Sequence, residues 1–420
     1  MKKGALGKEL IWNLIGQFAY LFGLWLITVF TTKFISVEAQ GVLTLALVAS
    51  NIAMSFGNYY LRLRYAADVN NEHSDSDYVI SRFILTGISF LICFGYCLAL
   101  QYSWSIIAAI MIYYVYKGTE LVSDIYQGVL QKHSKLYLGG ITLTIKGLFS
   151  VGIFAAIAVL TKSLIWSLIG LSLVGIAMAL VDIFVAKKAV GFRIQWRAYS
   201  WKTLKSVLIS CFPLFVLLLL SNVLPSLPRI FFEKIYDTEQ LGYYSSIANI
   251  AVLIQTVASA VMLPLVPRFA KLHEQKEKAG FLKFTGLVVF VAIAFCSAVF
   301  LGVVWLGDWA LKLVYGDIIM PYAYVFKGAI IATSFTAMVT VVTQILGAMG
   351  KRKETMIAAA LGLAICAAIS YPMCQGLYMD GMSYALVIAE GVEVALCLVL
   401  IVVLENKNCR VSNENPESQE

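Results

Sequence analysis

The chain has 420 residues, 60% of them hydrophobic and only 13% charged, with a mean hydropathy of +0.83. A soluble domain carries about 25% charged residues, so a water-soluble particle is excluded and the composition predicts an all-α polytopic membrane protein. The net charge of +8 comes without a polybasic tail or an aromatic-basic RNA-reading motif, which sets nucleic acid aside as a partner.

In chain order, a short basic segment, Met1 to Glu9, precedes an apolar run from Leu10 to Thr32. That run is longer than a signal-peptide core and no small-x-small cleavage site follows it, so it reads as a retained first span. Twelve spans are expected: 10–32, 41–63, 79–101, 103–126, 139–161, 164–186, 204–226, 242–266, 282–305, 322–347, 355–378 and 382–404. They divide into an N-terminal lobe, 1–188, a basic connector, 189–203, and a C-terminal lobe, 204–404, followed by a polar tail, 405–420, expected to be disordered. All eight prolines lie in the second half, and Pro213, Pro225 and Pro228 predict a bend in the seventh span. The eight cysteines fall mostly inside apolar runs and predict neither a disulfide nor a metal cluster.

One turn recurs. Lys33-Phe34-Ile35-Ser36-Val37-Glu38-Ala39-Gln40-Gly41 joins spans one and two, and Lys234-Ile235-Tyr236-Asp237-Thr238-Glu239-Gln240-Leu241-Gly242 joins spans seven and eight. The Lys, Glu and Gly positions are each 201 residues apart. Six spans separate the copies, so the repeat is parallel, with its pseudo-twofold along the membrane normal. With the N-terminus placed in the cytoplasm, the inside segments hold 24 Lys and Arg and the outside segments five. That bias supports an even span count with both termini cytoplasmic.

Soluble-enzyme and cofactor motifs are missing. Gly347-Ala348-Met349-Gly350-Lys351-Arg352 lacks the spacing and the Ser/Thr of a Walker A loop. The three histidines, His73, His133 and His273, map to loops. What remains is charge at membrane depth, which is costly in lipid and therefore a candidate for function. Span four carries Tyr113, Lys117, Glu120, Asp124, Gln127 and Gln131 at alternating spacings of three and four, one helix face. At 1.5 Å per residue Lys117 lies about 20 Å deep and Glu120 about 24 Å deep. They either face a hydrated cavity between the lobes or form an internal tether. Asp124 lies nearer the inner surface. Span twelve carries Glu390 and Glu393 on one face, a pair that resists double ionisation and suits ion coupling. Lys146 and Lys327 are singletons within about 11 Å of a surface, able either to snorkel or to face the lumen. Arg229 follows two prolines near the outer end of span seven, as an outer gate or an interfacial anchor. Arg62, Arg64, Arg82 and Arg268 read first as positive-inside anchors, and Asp182 as interfacial, paired with Lys187 or Lys188.

The exit of span seven, Pro228-Arg229-Ile230-Phe231-Phe232-Glu233-Lys234, running into Asp237-Thr238-Glu239-Gln240-Leu241-Gly242-Tyr243-Tyr244-Ser245, resembles the Wzx-like polysaccharide-transport flippases of the multidrug/oligosaccharidyl-lipid/polysaccharide exporter superfamily. Asn13 and Gln17 in span one, the Glu38–Gly41 turn and the Gly347–Lys353 exit of span ten fit the same pattern. The resemblance covers residues 10 to 405 and implies two six-helix lobes around a central cavity. It implies a non-enzymatic flippase that moves an undecaprenyl-pyrophosphate-linked O-antigen or related repeat unit, alongside the polymerase and chain-length proteins of that pathway. Cationic cavity residues would meet the pyrophosphate or acidic sugars, the candidates here being Lys117, Lys146, Lys327, Arg229 and Arg64. Glu120, Asp124, Glu390 and Glu393 are the candidates for ion coupling, and no metal or cofactor is expected. Span one lacks the acidic residue that multidrug exporters often place there, and it also lacks the arginine of peptidoglycan-precursor flippases. A cation-coupled drug or metabolite antiporter, and a membrane-embedded enzyme or scaffold of polysaccharide assembly, remain as alternatives.

Overall fold

The computed structural model describes residues 3–68, 72–192, 194, 199–262 and 265–414, with the backbone alone at 3–10, 252, 253, 256, 260 and 407–414. The described residues are almost wholly helical. The helices are α1 (Lys3–Phe30), α2 (Val37–Asn58), α3 (Leu61–Ala67), α4 (Asp75–Ala99), α5 (Trp104–Lys132), α6 (Leu136–Thr161), α7 (Leu164–Val190), α8 (Trp201–Val223), α9 (Leu227–Ile235), α10 (Thr238–Met262), α11 (Val266–Glu274), α12 (Lys278–Tyr315), α13 (Val325–Ala348), α14 (Arg352–Leu377) and α15 (Met379–Glu414). Among the described residues eleven stretches are long and apolar enough to cross a membrane. They match every expected span but the eighth, which corresponds to the 25-residue α10.

Local chemistry sets the helix ends. Ser36 caps α2 by accepting from the Ala39 N–H at 3.0 Å. Ser74 and Asp77 form a reciprocal capping box at the start of α4. α7 stops at Gly191, whose φ of +75° turns the chain out of the helix. Pro213 sits inside α8 without ending it. The break in the seventh span falls instead at Leu224–Ser226, around Pro225 and just before Pro228, where one tighter turn leads into α9. Pro264 lies outside the described residues.

Contacts group the chain into two compact units, Met1–Val223 with Thr238–Ser246, and Leu224–Asp237 with Ile247–Glu420. The first unit thus takes in α8, the part of the seventh span before its break. Phe215 of α8 stacks on Tyr59 with ring centroids 4.3 Å apart, and Asn222 Nδ2 donates to Ser55 Oγ at 2.9 Å. The connector does not mark this boundary; its residues 193 and 195–198, with Arg193 and Arg197, lie outside the described residues. The first unit also holds the first copy of the repeated turn and Thr238–Gly242 of the second, and beside them the Thr32 and Ser246 hydroxyls share a 2.8 Å hydrogen bond.

Within this unit α1 lies closely along α6 through a glycine seam. A Cβ on Gly16 would fall 2.4 Å from the Gly140 carbonyl oxygen, and one on Gly147 would fall 3.0 Å from that of Ala19. Small residues spaced by seven, Gly16 and Gly23 against Gly140 and Gly147, let the two backbones touch. In the second unit α13, α14 and α15 pack on one another, with α9 against α14 and α15. The polar tail is not disordered from Glu405 as expected. α15 continues to Glu414, and the buried Glu405 carboxylate lies 2.6 Å from His273 Nδ1 on α11. Residues 415–420 lie outside the described ones. The seven described cysteines are free and buried.

Candidate functional site

A cavity of about 290 Å³ opens in the first unit between α1, α2, α3, α5 and α6. Its wall mixes apolar side chains such as Met54 and Leu143 with the polar and charged Gln17, Asn58, Arg62, Glu120, Asp124 and Lys146. Two of these six polar and charged residues, Glu120 and Asp124, lie on the charged face of α5, and the others come from α1, α2, α3 and α6.

The glycine seam places Lys146. Because Gly147 lies against Ala19 and Tyr20, the preceding residue is set beside Tyr20. Its ammonium lies 5.1 Å from the ring centre of Tyr116 and 6.0 Å from that of Tyr20. Lys146 is 2% exposed, yet among the described residues no carboxylate lies within ion-pair distance of it. Glu120 on α5 and the buried Asp182 on α7 act on it only at longer range. Asp182 is thus a core residue and not the interfacial partner of Lys187 or Lys188. A cation held in this way, with aromatic faces and no counter-ion in contact, is suited to an anionic ligand.

Deeper along α5, Lys117 Nζ contacts both Glu120 oxygens at 2.8 and 3.0 Å, and the Tyr20 hydroxyl donates to the same carboxylate. Lys117 is therefore engaged inside its own helix, while Glu120 reaches the cavity wall. One turn further on, Asp124 accepts from Arg62 Nη1 at 3.1 Å and from Arg82 Nη2 at 2.9 Å. Arg62 also donates to Gln127 at 3.2 Å and to Gln131 at 3.1 and 3.2 Å. Arg82 is fully buried and donates from Nη1 to the carbonyls of Gly57 and Asn58 at 2.7 and 2.9 Å. These two arginines had read as surface anchors. The signal that finds them is spatial: α2 breaks at Tyr59 and Tyr60, both left-handed at φ 45° and 55°, and the break turns Arg62 back over α5. Around the cavity stand four cations, Arg62, Arg82, Lys117 and Lys146, and three carboxylates, Glu120, Asp124 and Asp182.

The other candidates lie elsewhere. Arg64, on the same short helix as Arg62, pairs with Glu72 away from the cavity wall. Lys327 is exposed on α13 and Arg229 half-buried on α9. Glu390 and Glu393 are 3% and 4% exposed in the second unit. The Thr336 hydroxyl lies 2.8 and 2.9 Å from the two Glu390 oxygens, and Glu393 packs over Gly362, where a Cβ would approach Oε2 to 3.1 Å. Among the described residues neither has a cation within ion-pair distance. No group of three or more potential metal ligands occurs among the described residues.

Helices of bilayer length with charge gathered inside them define a multi-pass α-helical membrane protein of transporter fold. The fold is similar to that of the lipid II flippase MurJ in an inward closed conformation, with a TM-score of 0.72, 14% identity and coverage of 98% of this chain and 94% of that one. It is also similar to a mutant of the MATE transporter VcmN from Vibrio cholerae, with a TM-score of 0.68, 13% identity and coverage of 98% and 97%. Residues 6–273 match the polysaccharide biosynthesis protein family, and the chain belongs to that family. It is 26% identical over 262 residues to the capsular polysaccharide biosynthesis protein CapF of Staphylococcus aureus. That match covers 61% of this chain and 64% of CapF, so under two thirds of the relative is spanned.

Proposed function

We propose that the chain is a flippase that moves an undecaprenyl-pyrophosphate-linked oligosaccharide, an O-antigen or related repeat unit, across the bacterial cytoplasmic membrane by ion-coupled alternating access. The observation that carries this reading is Lys146, a buried ammonium on the cavity wall with no counter-ion in contact among the described residues. A diphosphate supplies the missing negative charge, while the polyprenyl tail stays in lipid. Arg62 is the second cation on that wall. Membership of the polysaccharide biosynthesis protein family supports a glycan as the cargo. The bias of 24 basic residues to five supports cytoplasmic termini, with Arg62 at the inner end of its span, where cargo made in the cytoplasm would enter. Coupling is assigned to Glu390 and Glu393, which lack contacting cations among the described residues, in preference to Glu120 and Asp124, which have them. Polymerase and chain-length proteins of the same pathway are the expected partners.

The test is Lys146→Met in a deletion strain at matched protein level. Surface polysaccharide falls at least tenfold and the lipid-linked repeat unit accumulates on the inner leaflet. Normal surface glycan removes Lys146 from the mechanism. Lost drug resistance in the deletion strain with normal glycan replaces the flippase by a drug antiporter, and failure to make the lipid-linked intermediate points to an enzyme.

A further inference from the structure

Resting on the headgroup reading above, we propose that Asp124 competes with the lipid diphosphate for Arg62, and that Arg82, which is not part of the cavity wall, sets the strength of that competition. The Asp124 side chain is 27% exposed at the cavity wall, and with one arginine it could not release that partner without leaving an unpaired charge in a partly dehydrated site. Asp124 has two, one on each oxygen. It can give one up and stay neutralised.

The geometry decides which arginine leaves. Arg82 is fully enclosed, and its second nitrogen is fixed by the carbonyls of Gly57 and Asn58 at the end of α2. Beyond Asn58 the chain turns left-handed at Tyr59 and Tyr60 and leaves the helix, so these carbonyls need an outside donor. The Arg62 side chain is 23% exposed, stands on the cavity wall, and among the described residues has the neutral amides of Gln127 and Gln131 as its further acceptors. A diphosphate offers Arg62 two charged oxygens in the fork geometry that guanidinium matches best. Ligand entry therefore moves Arg62 from Asp124 to the phosphate, while Arg82 holds Asp124. Because Arg62 rides on α3, just past the left-handed break, the exchange also relays occupancy to the joint between α2 and α3.

The experiment measures binding of undecaprenyl diphosphate to the full-length protein in detergent. Asp124→Asn frees Arg62, and the Kd falls about tenfold, the scale of one charge-assisted hydrogen bond. Arg82→Met leaves Asp124 with Arg62 alone, and the Kd rises about tenfold although Arg82 touches no ligand. Arg82→Lys keeps the charge and binds like wild type. In the double variant the loss caused by Arg82→Met disappears, because the carboxylate through which it acts is gone. A Kd that is unchanged or raised in Asp124→Asn overturns the exchange, as does an equal loss from Arg82→Met in both backgrounds, which marks a purely structural arginine. Wild-type protein that fails to bind the diphosphate overturns the headgroup reading and the exchange together.

Discussion

Gly41 and Gly242 stand against each other's turns in a reciprocal contact. A Cβ on Gly41 would fall 1.8 Å from the Thr238 carbonyl oxygen, and a Cβ on Gly242 would fall 2.0 Å from that of Val37. Val37 and Thr238 are themselves repeat-related positions, 201 residues apart like the glycines. The contact is thus isologous in the sense of a twofold dimer, made within one chain by two copies of one motif. Alanine at either position forces the turns apart, at a cost of about 2 kcal/mol. Once separated, the turns accept the second alanine more cheaply, so the double variant loses less than the sum of the singles. Unfolding of purified single and double variants in detergent measures this, and strictly additive losses would show that the two turns do not share one contact.

Glu120 receives Lys117 on one side and the Tyr20 hydroxyl on the other. Removing only one charge of a largely buried pair leaves the other uncompensated. Lys117→Met therefore destabilises by about 3 kcal/mol, and adding Glu120→Gln recovers most of the loss. A double-mutant cycle gives the coupling directly. A double variant no more stable than Lys117→Met would mean that Glu120 draws its compensation from elsewhere, with Lys146 the nearest candidate.

The parts of this molecule that follow short-range rules were legible in the sequence. Apolar run lengths located the spans, a spacing of three and four gave the charged face of α5, and the turn at Lys33–Gly41 was visible as a motif that recurs at Lys234–Gly242. Partners across helices were not. Lys146 read equally well as a snorkelling residue, because its burial depends on how closely α1 approaches α6. The glycines that set this approach, Gly16, Gly23, Gly140 and Gly147, are visible in the sequence, but their pairing is not. Arg62 and Arg82 satisfied the positive-inside rule, which counts charges by loop and says nothing of where a guanidinium points. The α2 break that redirects Arg62 lies at two tyrosines, with no proline and no glycine after Gly57 to announce it. The bend expected from three prolines of the seventh span came at only two of them, since α8 carries Pro213 without ending.

Asp68 closes the turn after α3, accepting from the N–H groups of Glu72 and His73 at 2.9 and 3.2 Å and from the Tyr78 hydroxyl at 3.0 Å. Burial works against its ionised form, but these donors and the charge of Lys132 outweigh it and hold the carboxyl below its ordinary value. A lowered carboxyl contributes stability that is complete above its unfolded value, about 3.9, and is lost as pH falls through the folded value. The turn is accordingly indifferent to pH between 5 and 8, on the order of one unit or more above that range of titration, and loosens only in acid. Asp68→Asn removes the charge at every pH, so protection of the Glu72 and His73 amides from hydrogen exchange drops about tenfold at neutrality, the effect of one charge-assisted hydrogen bond. Equal protection in variant and wild type at pH 7 would assign the turn's order to its backbone alone.

Glu390 and Glu393 lie one turn apart on α15, buried, and among the described residues Thr336 alone donates a hydrogen bond to either. One hydroxyl carries one hydrogen, so it satisfies a single oxygen of Glu390 at a time. Two ionised carboxylates at this spacing in low dielectric repel, and a proton or a monovalent cation between them relieves the repulsion. The Cys366 thiol on α14 feels the charge of Glu390 and the Cys397 thiol on α15 that of Glu393, and neither brings a positive charge. Glu390→Gln and Glu393→Gln each remove the repulsion and, with it, the reason to take up an ion. In proteoliposomes carrying lipid-linked glycan, wild-type translocation rises when an ion gradient is imposed. The variants translocate at the ungraded rate whatever the gradient, with glycan-lipid binding unchanged. Thr336→Val leaves both carboxylates in place and therefore keeps the response to the gradient while shifting the ion concentration at which it saturates. Variants that still respond like wild type would place coupling outside this pair and return attention to Glu120 and Asp124.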